Sequence, residues 1–400
     1  MNPRLDRLQA YPFERLRSLL DGCRPPEERA PVNLGIGEPK QAPPAFVLDE
    51  VERNRADFGR YPATAGTADL QRACADWARH RFHLSSSSLV PGESVIPVAG
   101  TREALFGIAQ AVVGAGDRPA VAMPNPLYQI YEGAALWAGA EPVYLAAGDP
   151  GALPEITQLP TAVLDHLELI YLCSPANPTG GVMDAAGYRQ LLALADAHDF
   201  VIAADECYSE IYPDEDRPPT GLLEVAAAEG RTDFRRCLAF HSLSKRSNLP
   251  GLRSGFVAGD PGILHHFLRL RTYQGNAAPL PLQAGAAAAW RDEAHVRANR
   301  AGYRERFARV LEVLEPILDV EAPAGGFYLW PRVPGGGEAF ARELYAREGI
   351  TVLPGAYLGR EVDGLNPGAD RVRIALVDEV ESCVDAAWRI RRVAETMQNG

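Results

Sequence analysis

Short apolar runs alternate with helix-like segments between about residues 94 and 260. An apolar run of about four to eight residues is typical of a buried strand, and apolar residues three or four positions apart are typical of a helix. Strands are predicted at 95–99, 120–123, 142–145, 169–173, 201–204 and 237–240. Helices are predicted at 101–113, 127–138 and 184–198. The alternation predicts an α/β fold whose mostly parallel, doubly wound sheet is flanked by helices and binds its ligand at the carboxyl ends of the strands.

The pattern changes after about residue 280. It predicts a long helix, three short strands and a final helix, at 293–315, 327–330, 351–353, 372–377 and 379–396. Near the start, an amphipathic helix at 5–20 and an extended stretch at 32–36 are too short to fold alone, so we expect them to dock on the second domain or on another subunit. We predict an N-terminal segment that joins a small α+β domain, a large ligand-binding domain, and the C-terminal remainder of the small domain, at 1–45, 46–280 and 281–400.

Composition narrows the class of protein. A chain of 400 residues, 46% hydrophobic and 23% charged, can bury a core without disulfides or a structural metal. The net charge of −12 argues against a nucleic-acid partner, and the eight histidines form no H-E-x-x-H metal motif. No apolar run reaches the roughly 18 residues of a membrane span, and the start resembles no secretory signal. With six scattered cysteines and no C-x-x-C pair, we expect a cytoplasmic protein without a metal site.

Lysine is rare in this chain. Of 40 basic residues only Lys40 and Lys245 are lysine, and the rest are arginine. Arginine neither loses its proton at neutral pH nor forms an imine, so a retained lysine indicates a site that needs a free amine. Chance retention is the alternative for either lysine taken alone.

The segment 242–255 follows a predicted strand and carries several hydroxyl groups and two cations, Lys245 and Arg253. This combination suits an aldehyde cofactor that carries a phosphate: the lysine forms an imine, and Ser242 with Arg253 holds the phosphate dianion. A solvated loop is the alternative.

Further polar side chains follow the other predicted strands. Asp205 ends the run 200–204 and could keep a pyridine nitrogen protonated, or it could cap a turn. Tyr208 could reach the same ring, and Asn177, extended before a proline, could bind a phenolate oxygen, or both could be structural. Thr101 begins a helix that could seat a phosphate on its backbone amides, or it could be a plain N-cap.

Two aromatic residues and two arginines complete the candidates. Tyr128 and Tyr131 could stack on a flat ring or belong to the core. Arg371 and Arg373 alternate with apolar residues, as in a strand with one wet face. One of these arginines could clamp a carboxylate, or both could face solvent.

Six short motifs occur in order: G-T-R-E, P-x-x-x-Y-x-x-Y, N-P-T-G, D-E-C-Y, S-x-S-K with an arginine eight residues later, and R-V-R-I-A-L. Together they resemble the pyridoxal-phosphate aminotransferases of the aspartate-aminotransferase fold, over nearly the whole chain. The resemblance implies that Lys245 bonds to the cofactor aldehyde and moves protons, Asp205 binds the pyridine nitrogen, and Arg373 binds the substrate α-carboxylate. It also places Tyr208 and Asn177 on the phenolic oxygen and stacks Tyr128 on the ring. The phosphate is then held by Thr101, Arg102, Ser242, Ser244 and Arg253.

The same resemblance implies a homodimer with two shared sites. Tyr61 looks like the family's tyrosine that completes the phosphate site of the neighbouring subunit, and Gly37 would lie against the substrate on a mobile N-terminal segment.

Three segments, at 8–16, 36–43 and 125–133, are similar to the succinyldiaminopimelate aminotransferases of bacterial lysine biosynthesis. This narrower similarity implies amino transfer between glutamate, which becomes 2-oxoglutarate, and N-succinyl-2-amino-6-oxopimelate. Lys40 and Arg102 depart from the residues common in relatives, and we hypothesise that one of them binds a further carboxylate of this substrate.

Other functions stay open. A related aminotransferase acting on an aspartate-, aromatic- or alanine-type substrate, or a lyase or decarboxylase on the same fold, would share the cofactor residues. A nicotinamide dehydrogenase suits the α/β rhythm, but no G-x-G-x-x-G follows a predicted strand. A DNA-binding regulator on this fold would need a further basic region.

Overall fold

The computed structural model describes residues 3–114, 116–146 and 156–399. Its strands are β1 (Val32–Asn33), β2 (Val95–Val98), β3 (Ala120–Asn125), β4 (Glu141–Ala146), β5 (Leu167–Cys173), β6 (Val201–Asp205), β7 (Cys237–Ser242), β8 (Gly255–Gly259), β9 (Tyr328–Leu329), β10 (Ile350–Thr351), β11 (Leu353–Pro354) and β12 (Val372–Ala375). Its α-helices are α1 (Pro12–Leu20), α2 (Ala45–Arg53), α3 (Ala68–Arg81), α4 (Thr101–Val112), α5 (Gln129–Ala138), α6 (Thr161–Leu164), α7 (Ala185–His198), α8 (Leu222–Ala228), α9 (Leu243–Arg246), α10 (Pro261–Gln274), α11 (Leu280–Arg291), α12 (Ala294–Leu314), α13 (Gly337–Glu348) and α14 (Val380–Asn399). Short 3₁₀ turns lie at Pro3–Arg7, Arg55–Gly59, Ile156–Gln158, Pro250–Leu252 and Gly355–Tyr357.

A seven-stranded sheet in the order β2-β8-β7-β6-β5-β3-β4 forms the centre of the larger part. The pairs from β7 through β4 are parallel, and β8 is antiparallel to both of its neighbours. Alternate residues of these strands enter two apolar cores, one with α3, α7, α8 and α11 and the other with α4, α5 and α10. The predicted mostly parallel α/β sheet with helices on both faces is therefore confirmed.

A third apolar core joins the C-terminal helices α12, α13 and α14 to a three-stranded antiparallel sheet of β11, β12 and β9. The N-terminal strand β1 pairs with β10 beside it, and Leu34 enters the same core. Helix α11 packs on the large sheet instead, with Trp290 buried in that core. Apolar packing therefore changes between Trp290 and Phe307. We call the part built on the seven-stranded sheet the large domain and the part built on β9, β11 and β12 the small domain. The predicted boundary at residue 281 stays a prediction.

The predicted N-terminal helix over 5–20 is wrong as one element. A 3₁₀ turn at Pro3–Arg7 is separated from α1, which begins at Pro12. Proline lacks an N–H group and favours an extended residue before it, so it suits the first turn of a helix. Tyr11 is extended, and its N–H donates to the Glu14 carboxylate at 3.3 Å. This break places Tyr11 where its side chain reaches the cavity described below.

One buried ion pair joins the small domain to the large one. The Arg360 guanidinium donates to both carboxylate oxygens of Glu132, each at 2.6 Å, and the two residues are 7% and 4% exposed. Beside it, the Asn125 amide and the Arg360 backbone exchange two hydrogen bonds of 2.8 Å. The Leu127 N–H donates to the Leu358 carbonyl. These contacts fix the loop before Arg360 against α5, where both segments form one wall of the cavity.

Replacing Glu132 with glutamine is expected to destabilise the protein by about 3 kcal/mol, because it leaves the Arg360 charge buried without a counter-ion. Urea unfolding followed by tryptophan fluorescence measures the change. Glu381→Gln is the matched control, since its pair with Arg309 is exposed and should leave the midpoint unchanged. Equal midpoints for the two variants would contradict the assignment.

Candidate active site

A cavity of about 580 Å³ opens at the carboxyl ends of β5, β6 and β7, between the two domains. The first turn of α4, strand β12 and the N-terminal segment complete its wall. Most of the residues that the sequence predicts for the site are brought together here: Gly37, Thr101, Arg102, Tyr128, Asn177, Asp205, Tyr208, Ser242, Ser244, Lys245, Arg253 and Arg373.

Lys245 lies on α9, the short helix that follows β7. The Ser242 hydroxyl accepts the Ser244 N–H at 3.1 Å and so caps this helix. The Lys245 ammonium group donates to the Gly37 carbonyl. Burial lowers the pKa of the Lys245 amine to about 8, because the charged form is poorly solvated. About a tenth of this amine is therefore uncharged and nucleophilic at pH 7, far more than in an exposed lysine.

Asp205 ends β6 and is 5% exposed. Its carboxylate accepts the Tyr131 hydroxyl at 2.7 Å and the Cys207 N–H at 3.2 Å, so the turn-capping interpretation also holds. Burial raises the pKa of the Asp205 carboxyl. Within the described ranges no cation pairs with Asp205. A protonated ring nitrogen would supply the missing positive charge, so this carboxylate fits a pyridine ring.

The end of the cavity nearest α4 suits a phosphate. The Arg253 guanidinium donates to the carbonyls of Pro250 and Ala99, at 2.9 and 3.3 Å, and in the described part of the chain it pairs with no carboxylate. Gly100 has a φ of +91°, and a Cβ there would overlap the Arg253 guanidinium. An uncompensated guanidinium, nearby hydroxyls and the first turn of a helix provide the donors that a dianion needs. Thr101, Ser242 and Ser244 supply those hydroxyls on the wall.

Arg373 lies on β12 and also lines the cavity. Its guanidinium donates to the Asn177 side-chain oxygen at 2.9 Å and to the Gly35 carbonyl at 2.8 Å, and its Nε has no partner among the residues described. Arg371 and Arg373 are each 5% exposed, so the solvent-facing interpretation is wrong. The reason is that β12 lies between β11 and β9 and is covered on both faces. Arg373 can therefore offer paired N–H groups to a substrate carboxylate.

Arg102 lies at the rim between the two domains. Its Nε donates to the Tyr128 hydroxyl at 2.7 Å, and its Nη2 donates to the Tyr11 hydroxyl at 3.4 Å. Tyr128 lies just before α5, which begins at Gln129 rather than at the predicted residue 127. The Tyr128 ring faces the cavity, as stacking on a flat ligand requires.

Two predicted residues are outside this cavity. The Lys40 ammonium pairs with Asp378, and its backbone N–H donates to the Val377 carbonyl. Lys40 is thus not on the wall, and of the two cations proposed to bind a further carboxylate only Arg102 lines the cavity. Tyr61 is fully exposed, with Phe58 and Tyr273 also exposed at 58% and 85%. Its contact with a second subunit stays a prediction.

Sequence reasoning missed several cavity residues. The sequence indicates Tyr131 only for stacking or for the core, yet its hydroxyl donates to Asp205. Tyr328 lies inside a predicted strand, and its hydroxyl contacts the Tyr208 hydroxyl at 3.0 Å. Cys207 lies within the D-E-C-Y motif, and its sulfur is 3.0 Å from the Thr101 hydroxyl. The flanking motif residues are a usable signal for Cys207, whereas nothing in the local pattern indicates Tyr328.

Residues 3–114, 116–146 and 156–399 contain neither a cluster of metal-binding side chains nor a membrane-spanning helix. No group of three or more His, Cys, Asp or Glu side chains there could hold a metal ion. No helix in these ranges is long and apolar enough to cross a bilayer.

The chain is similar to proteins that are named as aminotransferases or transaminases. The 4-dedimethylamino-4-oxo-anhydrotetracycline transaminase OxyQ of Streptomyces rimosus is 36% identical over 370 residues, covering 90% of this chain and 92% of that protein. An LL-diaminopimelate aminotransferase of Desulforudis audaxviator is 30% identical over 396 residues, covering 97% and 96%. The crystal structure of an aminotransferase from Neisseria meningitidis is 44% identical, with a TM-score of 0.94 and coverage of 98% and 100%.

Residues 29–384 match the family described as aminotransferase class I and II. The chain therefore belongs to the class I and II aminotransferases, which are pyridoxal-phosphate-dependent transaminases.

Proposed function

We propose that this enzyme binds pyridoxal 5'-phosphate and transfers an amino group between glutamate and N-succinyl-2-amino-6-oxopimelate, a reaction of bacterial lysine biosynthesis. The observation that carries the proposal is one cavity whose wall holds a buried amine, a buried carboxylate without a counter-ion, and three guanidinium groups. These are the charges that the cofactor and a dicarboxylate substrate complement.

The residues present fit the cofactor. Asp205 would face the ring nitrogen, Tyr208 and Asn177 the phenolic oxygen, and Tyr128 the ring face. The backbone amides of Thr101 and Arg102, together with Ser242, Ser244 and Arg253, would surround the phosphate, which leaves the Arg102 side chain for the substrate. When bound, the cofactor's aldehyde joins the Lys245 amine and its ring withdraws electrons from the substrate carbon that bears the amino group.

Each protein group then has a separate task. Arg373 would bind the substrate α-carboxylate and so orient the Cα–H bond toward the Lys245 amine. The Lys245 amine is placed to remove and return the proton on the substrate Cα. The Gly37 carbonyl accepts a hydrogen bond from that amine and holds it inside the cavity. Leu353 and Leu358 add apolar side chains to the wall of the cavity.

Arg102 supports an extended, anionic substrate. It lies on the wall with the hydroxyls of Tyr11 and Tyr128 as its partners, so its charge has no carboxylate neighbour in the described structure. Relatives named LL-diaminopimelate aminotransferase favour a substrate of the diaminopimelate type and make the free, unsuccinylated diamine the second candidate.

We also propose a cytoplasmic homodimer. The six cysteines are free thiols, which suits a reducing compartment. Tyr61 is exposed and available to complete the phosphate site of a second subunit.

The experiment is a half-reaction followed by a full assay. The purified protein should be yellow, its absorbance should change when glutamate is added, and borohydride should fix the cofactor on Lys245. Stoichiometric 2-oxoglutarate should then form with the succinylated keto acid, with ping-pong kinetics. Label on another residue would refute the cofactor site. If the enzyme prefers the free diamine, that compound is the substrate instead of the succinylated one. Release of the amino group as ammonia would indicate a lyase, and loss of the carboxylate would indicate a decarboxylase.

Replacing Arg102 with alanine is expected to raise KM for the succinylated substrate about tenfold or more, since a hydrogen bond to a charged group is lost. Steady-state kinetics with both substrates varied measure this change. Lys40→Ala is the control, because its ammonium pairs with Asp378 outside the cavity. An unchanged KM for Arg102→Ala would remove Arg102 from substrate recognition.

A further inference from the structure

Two buried tyrosines meet on the cavity wall. The Tyr208 hydroxyl, from the turn after β6, lies 3.0 Å from the Tyr328 hydroxyl on β9 of the small domain. The two residues are 7% and 4% exposed, so no bulk water competes for this hydrogen bond. Burial raises the pKa of both phenols, which keeps both protons in place. The pair therefore connects the two domains through neutral hydroxyl groups.

Tyr328 also contacts the parts of the cavity that would receive substrate. The Arg373 guanidinium lies over its ring, 4.5 Å from the centroid. Gly37 packs so closely on its hydroxyl that a Cβ there would overlap it. One side chain thus touches the N-terminal segment, the carboxylate-binding arginine and Tyr208.

The direction of the hydrogen bond follows from the number of protons. Each phenol carries one proton. If Tyr208 donates its proton to the phenolic oxygen of the cofactor, it can only accept from Tyr328, and Tyr328 must be the donor. The other titratable or charged groups facing the pair are Cys173 on β5, Arg373 on β12 and Tyr11 before α1.

We propose that Tyr328 is a positioning residue: its hydroxyl donates to Tyr208, so that Tyr208 donates to the phenolic oxygen, and its ring holds the Arg373 guanidinium in place. This inference rests on the proposed cofactor site and extends it. The Tyr328 hydroxyl would affect the protonation of the cofactor, and the Tyr328 ring would affect substrate binding. Substitutions that remove one or both can therefore separate the two roles.

The test is a pH titration of the visible absorbance of the holoenzyme. A hydrogen-bond donor to the phenolic oxygen of the cofactor stabilises the negative charge on that oxygen, and so lowers the pKa of the nearby Lys245 nitrogen that is bonded to the cofactor. Tyr328→Phe should therefore raise the midpoint of the absorbance titration by about one-half to one pH unit, with the substrate KM nearly unchanged. Tyr303→Phe is the matched control, because Tyr303 is buried, stacks on Phe327 and has a hydroxyl without a partner in the described chain. Its midpoint should stay that of the unaltered protein.

Two further variants separate the roles. In a Tyr208→Phe background, Tyr328→Phe should add no further shift, because the connecting hydroxyl is gone. Tyr328→Leu removes the ring as well and should raise KM for α-carboxylate substrates about threefold or more, since the cation–π contact with Arg373 is lost.

The outcomes decide between the two proposals. Borohydride label absent from Lys245 would refute the cofactor site itself. Label on Lys245 with an unchanged midpoint in Tyr328→Phe, or an equal shift in Tyr303→Phe, would overturn the role of Tyr328 alone. Should Tyr328→Phe fail to fold, Tyr328→Leu also removes the hydroxyl, and an unchanged midpoint in that variant would again reject the proposal.

Discussion

Replacing Lys245 with alanine is expected to lower kcat for transamination by at least about a thousandfold, because the variant loses both the covalent anchor and the group that moves the Cα proton. Burial of the amine and its contact with Gly37 hold it inside the cavity, and no other lysine is available to take over. Stopped-flow absorbance after mixing with glutamate measures the half-reaction, and steady-state assays measure turnover.

The chain supplies its own control for this experiment. Lys40 is the only other lysine, and it pairs with Asp378 away from the cavity. After borohydride treatment, Lys40→Ala should still carry the cofactor label and Lys245→Ala should carry none. Turnover of Lys245→Ala within tenfold of the unaltered enzyme, at equal thermal stability, would refute the assignment.

The residues that the sequence predicts most directly are those indicated by the composition of the chain or by the local pattern around them. Lysine scarcity indicated Lys245, and the ends of apolar strands indicated Asp205 and Asn177, because parallel strands deliver their carboxyl ends to one edge. The mostly parallel sheet followed from the same alternation. Strand β8 was missed, since its five residues, Gly255–Gly259, begin and end with glycine and follow a loop rich in hydroxyls.

What escaped prediction depends on partners distant in sequence. Tyr131 and Asp205 are 74 positions apart, and Tyr208 and Tyr328 are 120 apart. The burial of Arg371 and Arg373 depends on two flanking strands, not on their alternation with apolar residues. Lys40 is the opposite case: it is close in sequence to Gly37, which lines the cavity, but its ammonium group pairs with Asp378 instead. Spacing therefore located the cavity and its charges, whereas three-dimensional packing decided which hydroxyls and cations reach it.

Replacing Asp205 with asparagine is expected to lower kcat/KM by about a hundredfold to a thousandfold, since the variant keeps the shape but removes the buried negative charge that would face the ring nitrogen. The loss follows from the isolation of this carboxylate: its hydrogen bonds come from the Tyr131 hydroxyl and the Cys207 N–H, both neutral. A cationic ring would find no other counter-charge at this end of the cavity in the described part of the chain.

Tyr131→Phe separates charge from hydrogen bonding at the same position. It removes one donor but leaves the Asp205 carboxylate, so kcat/KM should fall only about tenfold. Single-turnover kinetics with glutamate, together with the borohydride label on Lys245 to show that the cofactor is still bound, measure both variants. If Asp205→Asn retained activity within threefold, or if Tyr131→Phe were as impaired as Asp205→Asn, the negative charge would not be what Asp205 contributes. A large loss in Asp205→Asn and a small one in Tyr131→Phe would instead assign the function to that charge, which only a buried carboxylate at the end of β6 provides.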